Sequence, residues 1–400
     1  MSTATASAVH VPADRSAGSA PNAAPRPRTE RNEAIDCLRG IVMVLMALDH
    51  TRDFVGSPIA SLADVGPALF FTRWITHYCA PVFVFLAGTS AWLHGRKLGS
   101  TPALSQFLLT RGLWLVLLEV TVVRAAWLFY LGPEFGVLQV IWAIGASMVV
   151  LAALVWLPLP AITASAIAVI AGHDVLDGVA ADAFGSLRWV WLLLHQPGPV
   201  APFEGARWFV AYPLIPWFAV MAAGYGLGPW MILPRDVRRH RIALLGATLV
   251  VGFVALRASG FYGDPHPWDP ARGLLGFLDC EKYPPSLLYL LMTLGPALLL
   301  LAALDRPLGT WEERVVTFGR VPLFYYVLHI ALIHAIAVAI AWPDLGSAAL
   351  ARQFMPSGGL GYALPVVYAT WIAVVAVLYP PSRWFAGVKR RHHAVWLSYL

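Results

Sequence analysis

Charge is the scarcest property of this 400-residue sequence: Asp, Glu, Lys and Arg make up 12% of it, about half of what an ordinary soluble domain carries. That scarcity excludes a typical water-soluble enzyme. Cysteine is nearly missing as well, and Cys37, Cys79 and Cys280 give neither a disulfide framework nor a metal-site spacing. Residues 1 to about 33 are rich in Ala, Ser, Pro and Arg and lack an apolar run long enough for the core of a secretory signal peptide; they are expected to form a disordered tail. No fixed internal period is visible, so an inverted-repeat transporter plan gains no support. Nucleic-acid binding is excluded too. The net charge of +6 and pI of 9.3 come from basic residues set between hydrophobic runs, not from one continuous face.

What the sequence does have is apolar surface: 58% hydrophobic residues and a mean hydropathy of +0.66. The lipid bilayer is therefore its solvent and its first partner. The expected fold is all-α, a polytopic membrane helix bundle of about ten transmembrane helices. The spans fall at approximately 36–56, 68–94, 104–130, 136–158, 160–177, 207–229, 241–258, 285–304, 320–342 and 361–379. Ten crossings put the basic clusters on one side, namely Arg26, Arg28, Arg31 and Arg39, then Arg96 and Lys97, Arg235 to Arg241, Arg306 and Arg314, and Lys389 to Arg391. By the positive-inside rule both termini are then cytoplasmic. Residues 34–385 form the membrane domain on this reading, with 1–33 and 386–400 as cytoplasmic tails. The long loops at about 178–206 and 259–284 face outside, and loops of that length are more often functional than passive.

Charged and titratable side chains inside such spans are expensive, so each needs a partner or a task. Asp36, Arg39, Met43, Met46 and His50 recur at helical spacing in the first span. His50 lies 14 residues beyond Asp36, about 21 Å along the axis, with Asp49 before it and Asp53 one turn after Asp49. In the second span Arg73 and His77 are one turn apart, and His77 sits about 13 Å below the outer end. His50 and His77 are therefore expected at one depth, facing one cavity. Pro81 should kink the helix beside His77 and free a backbone carbonyl. Glu119 with Arg111 reads as a structural ion pair, while Arg124 lies in the outer half and would face the cavity. In the ninth span His329 and His334 are five positions apart and point in different directions. His334 has the depth of the outer cavity, and His329, one turn from Tyr325, reads as a packing or donor-side residue.

The stretches RNEAIDCLRGIVMVLMALDHTRDF, TRWITHYCAPVFVFLAGTSAWL, GVLQVIWAIG and GRVPLFYYVLHIALIH resemble the bacterial relatives of heparan-alpha-glucosaminide N-acetyltransferase, over most of residues 31 to 385. Arg39 and Gly40, with His50 ten positions after the glycine, are also similar to the first helix of the acyltransferase-3 family. The lysosomal enzyme resembles this chain with an asparagine at His50, and its catalytic histidine falls where this chain has Gly56 to Gly66 and no histidine. The resemblance implies acetyl or other acyl transfer from cytoplasmic acyl-CoA, acetyl-CoA in the first instance, to a small-molecule or glycan-like acceptor across the membrane. It calls for no metal, and a homodimer is compatible with it. On the chemistry of acyl transfer, His50 is the expected base, oriented by Asp49 or another carboxylate, with His77 as second candidate. Arg73 or Gln139 would donate to the carbonyl oxygen, with Arg124 and His334 lining the acceptor side. Arg39, Tyr326 and His329 are assigned to the donor. The competing reading is a proton-coupled transporter with Asp49, Glu119, His329 and His334 as a relay.

Overall fold

The computed structural model describes residues 32–57, 65–351, 359–392 and 397. Helix α1 (Glu33–Val55) carries Glu33, Asp36, Arg39, Asp49, Arg52 and Asp53, a load that an isolated span could not hold in lipid. It is followed by α2 (Pro67–Thr76), α3 (Cys79–Leu98) and α4 (Thr101–Leu118), which runs through a π-helical turn (Glu119–Val123) into α5 (Arg124–Leu128). Then come α6 (Val140–Leu154), α7 (Leu159–Gly172) with a 3-10 turn (His173–Leu176), α8 (Arg188–Leu194), α9 (Leu214–Leu227), α10 (Arg235–Ser259) and α11 (Gly273–Leu278). The last are α12 (Leu287–Leu304), α13 (Thr310–Arg320), α14 (Pro322–Leu345), α15 (Ala348–Ala351) and α16 (Leu364–Arg391).

The charges of α1 are tolerated because the helix lies inside protein. It packs against α3, α12, α13, α14 and α16, and Asp36, His50 and Arg52 are all buried. Further pairs build the bundle around it: α4 with α6, α3 with α9, α7 with α9, and α10 with α12. Two of these contacts are glycine on glycine. A Cβ at Gly112 would stand 2.6 Å from the Gly145 carbonyl oxygen and one at Gly145 would stand 2.7 Å from that of Gly112; Gly246 and Gly295 meet in the same way at 2.9 and 3.2 Å. Without a hydrophobic drive between helices in lipid, such close backbone approach supplies the packing.

The described residues are 77% helical, as the sequence predicts. Seven helical stretches among them are long and apolar enough to cross a membrane, and they coincide with the predicted spans two, three, five and seven to ten. The other three predicted spans correspond to α1, α6 and α9; α6 and α9 are short, at 15 and 14 residues. Their apolar runs begin as strands. β1 (Phe135–Leu138) pairs parallel with β3 (Arg207–Val210), and β2 (Gly198–Val200) pairs antiparallel with β3. Phe135 is opposite Arg207, and Gly198 is opposite Val210. The predicted starts at 136 and 207 are thus too early: Gly136 lies flat against the Trp208 indole, and Pro213 caps α9. Hydropathy does not distinguish a short apolar strand from a helix. At the other end α16 continues to Arg391 through Pro380 and Pro381, beyond the predicted limit of 379. The predicted tail 1–33 lies outside the described residues up to 31.

Candidate active site

Residues 49 and 50 look in different directions, because successive side chains on a helix are 100° apart. Asp49 faces α2 and the segment before α12. Its Oδ1 accepts from Thr76 Oγ1 at 2.8 Å and from the Arg52 guanidinium at 3.0 Å, and Lys282 Nζ lies 3.8 Å from Oδ2. Arg52 also donates to Asp53 at 2.6 Å. Burial alone would push Lys282 towards neutrality, but Tyr283 and Asp49 beside it reverse this and raise its pKa above the usual lysine value. Asp49 is therefore bound into an ionic network and does not orient His50.

His50 turns instead to α14. Its Nδ1 lies 2.7 Å from His329 Nε2, both rings are buried, and they are coplanar within 4°. His329 Nδ1 is 2.9 Å from the Tyr325 carbonyl oxygen. A carbonyl only accepts, so His329 Nδ1 carries the proton; a neutral His329 then accepts at Nε2, and His50 Nδ1 donates to it. The chain of bonds leaves His50 Nε2 as a lone pair. That atom has no hydrogen-bond partner among the described residues, and His50 keeps 8% of its surface accessible where His329 keeps 0%. Trp127 and Tyr326 stand edge-on to the His50 ring at 4.8 and 6.0 Å.

His77 does not join His50. Pro81 has no N–H to offer the His77 carbonyl, and the helix is interrupted there between α2 and α3, which is more than the expected kink. The freed carbonyl accepts from Tyr289 Oη at 2.7 Å. The His77 ring packs 5.4 Å from Tyr289, and both of its nitrogens are buried without a hydrogen-bond partner, as is Arg73 Nε. His77 and Arg73 thus border the Asp49 network and lie apart from the histidine pair.

The remaining predicted residues divide clearly. Arg124 donates to the backbone carbonyls of Val120, Leu131, Gly132 and Phe135, which makes it the staple of the turn after α5. Glu119 is not paired with Arg111. Its carboxylate accepts from the Gln139 and Trp142 amides, capping α6 where the helix dipole favours negative charge; Arg111 lies over the Phe107 ring. Glu119, Arg124, Trp127 and Gln139 line one small pocket, and Trp127 is shared with the His50 surroundings. Arg39 bonds Asp36, Ser90 and the Gly319 carbonyl, eleven residues or about 16 Å below His50 along α1. His334 reaches the Ala126 carbonyl at 3.1 Å and stacks on Phe129, parting from His329 as their spacing predicts. Tyr326 and His329, assigned to the donor by sequence, belong to the His50 cluster.

Lys282 and Thr76 carry no sequence signal, being single polar residues beside apolar runs. The model of the family described as heparan-alpha-glucosaminide N-acetyltransferase, catalytic, matches residues 31–257, which include His50, His77 and the Asp49 network apart from Lys282, but not His329. No curated protein matches the chain.

Proposed function

The chain belongs to the heparan-alpha-glucosaminide N-acetyltransferase catalytic family, and from that membership we propose that it transfers an acetyl or related acyl group from acyl-CoA to the amine or hydroxyl of a sugar-like acceptor. The observation that carries the proposal is the bonded series His50, His329 and Tyr325 carbonyl. In the proposed reaction His50 Nε2 takes the proton of the acceptor N–H or O–H as that atom attacks the thioester carbonyl. The positive charge on His50 is shared with His329 through the 2.7 Å bond. Collapse of the tetrahedral oxyanion breaks the carbon–sulfur bond, and the coenzyme thiolate leaves with the proton from His50. The Gln139 side-chain amide, on the pocket that Trp127 shares with the His50 surroundings, is the proposed donor to the oxyanion, with acceptor binding assigned to Arg73 and to the Asp49, Lys282 and His77 side.

The proposed placement has ten crossings, α1, α6 and α9 included, in a bacterial inner membrane with both termini cytoplasmic. Arg39 then lies on the donor side and His50 in the outer half. The relay required by a proton-coupled carrier has less support, because both Glu119 oxygens already accept backbone amides. The test is purified protein with acetyl-CoA and glucosamine as probe acceptor, followed by release of free coenzyme thiol and by the mass of the acceptor. Thiol release that His50→Ala removes is the expected result. Acetyl-CoA neither bound nor consumed, or turnover unaffected by His50→Ala, would sink the proposal.

A further inference from the structure

A second group of titratable side chains lies away from His50, where α7 ends. His173 opens the 3-10 turn after α7, and Asp177 caps the end of that turn. His195 closes α8 and brings its Nε2 to 3.0 Å from Asp177 Oδ1. One ligand atom from each of His173, Asp177 and His195 falls within 4.8 Å of the others. Both histidines are 2% exposed, and the two His173 nitrogens and His195 Nδ1 have no hydrogen-bond partner. His173 Nδ1 is 3.1 Å from Asp174 Oδ1, yet the two are out of alignment for a hydrogen bond. Asp174 is anchored elsewhere, its Oδ2 accepting from the Leu287 amide at the start of α12.

Two imidazoles and one carboxylate, with both nitrogens of the buried His173 unpartnered, are a donor set for a first-row divalent ion. We infer that His173, Asp177 and His195 bind one zinc-class cation, which clamps the end of α7 to the segment leading into β2. Tetrahedral ligands at zinc distances stand about 3.4 Å apart. The His195–Asp177 pair is already near that separation at 3.0 Å, and with all ligand atoms within 4.8 Å of one another, closing the triangle asks His173 to approach by at most about 1.4 Å. Three protein ligands leave the fourth position to water or to an anionic group, as in open zinc sites. The segment between Asp177 and His195 would then be held at both ends by the ion. Asp174 ties the same corner to α12, and Tyr289 of α12 reaches the His77 carbonyl, so the clamp braces the wall of the Asp49 network.

The inference stands apart from acyl transfer and is tested without it. Tag-free full-length protein in detergent is stripped with a chelator and titrated with zinc against a chromogenic competitor. One equivalent per chain is expected, weakened at least 100-fold by His195→Ala and less than tenfold by His195→Cys, which keeps a ligand. Asp182→Asn, an exposed change in the same segment, should bind as the parent does. Cobalt(II) added to the parent should give the visible bands of a low-coordinate nitrogen and oxygen site, a readout that needs no variant to fold. Zinc bound well below one equivalent, a His173→Ala, His195→Ala double variant that binds as the parent does, or cobalt spectra of the aquo ion alone would overturn it.

Discussion

Arg257 and Arg124 on one hand, and His50, His77 and Arg73 on the other, are polar groups within the same bundle, but they differ in what their atoms meet. Arg257 donates to the carbonyls of His266, Gly276, Phe277 and Asp279 and lies 3.8 Å from Asp264; Arg124 is matched by four carbonyls in the same manner. His77 and Arg73 hold buried nitrogens with no partner, and His50 is bonded through one nitrogen only. The first kind closes irregular backbone, whose buried carbonyls are costly to leave unpaired. The second kind keeps capacity for another molecule. Charge in a membrane span is thus a poor marker of a site, and unused hydrogen-bonding capacity is a better one.

Four substitutions would break or sharpen this division. His50→Ala should lower acyl transfer by roughly 10²- to 10⁴-fold, the usual share of a general base, with the melting temperature close to that of the parent; a large loss of stability at unchanged turnover would move His50 into the structural class. Arg257→Ala should do the reverse and destabilise by about 3–5 kcal/mol, since it leaves four carbonyls without their donor and the buried Asp264 without its cation, as read from thermal unfolding in detergent. For His329→Gln we expect a ten- to hundredfold loss in kcat, of the order seen when a group that orients another is removed. Its KM should be little changed, and the pH profile should shift because the His50 proton loses its fixed acceptor. The smallest effect belongs to Arg73→Gln: stability within about 0.5 kcal/mol and a severalfold rise in KM for the acceptor. A melting temperature that falls as far as that of Arg257→Ala would show that Arg73 braces structure.

Much of the site was legible as a set of residues but not as a set of partners. The interruption at His77 followed from Pro81, because it depends on neighbours in sequence. The pairing of His50 with His329, and not with His77, depends on which way α1 is rotated against α14. Asp49 fixes that rotation through Thr76 and Lys282, residues that no spacing connects to it. Glu119 misled for a similar reason. A carboxylate eight positions from an arginine suggests a pair, whereas the amides it caps belong to a helix some twenty residues on.

By itself the sequence determined the solvent of this protein, its helical class, most of its spans and the family it resembles, since these follow from composition and from local period. Tertiary structure alone decided that α1 is enclosed by other helices, that β1 and β3 replace the ends of two apolar runs, and that His329 completes His50. The same holds for His173, Asp177 and His195, which converge across 22 positions of chain. Hydropathy measures what each segment avoids, which is water. Hydrogen bonds and close glycine contacts then choose its neighbours, and that choice depends on the facing element as much as on the segment itself.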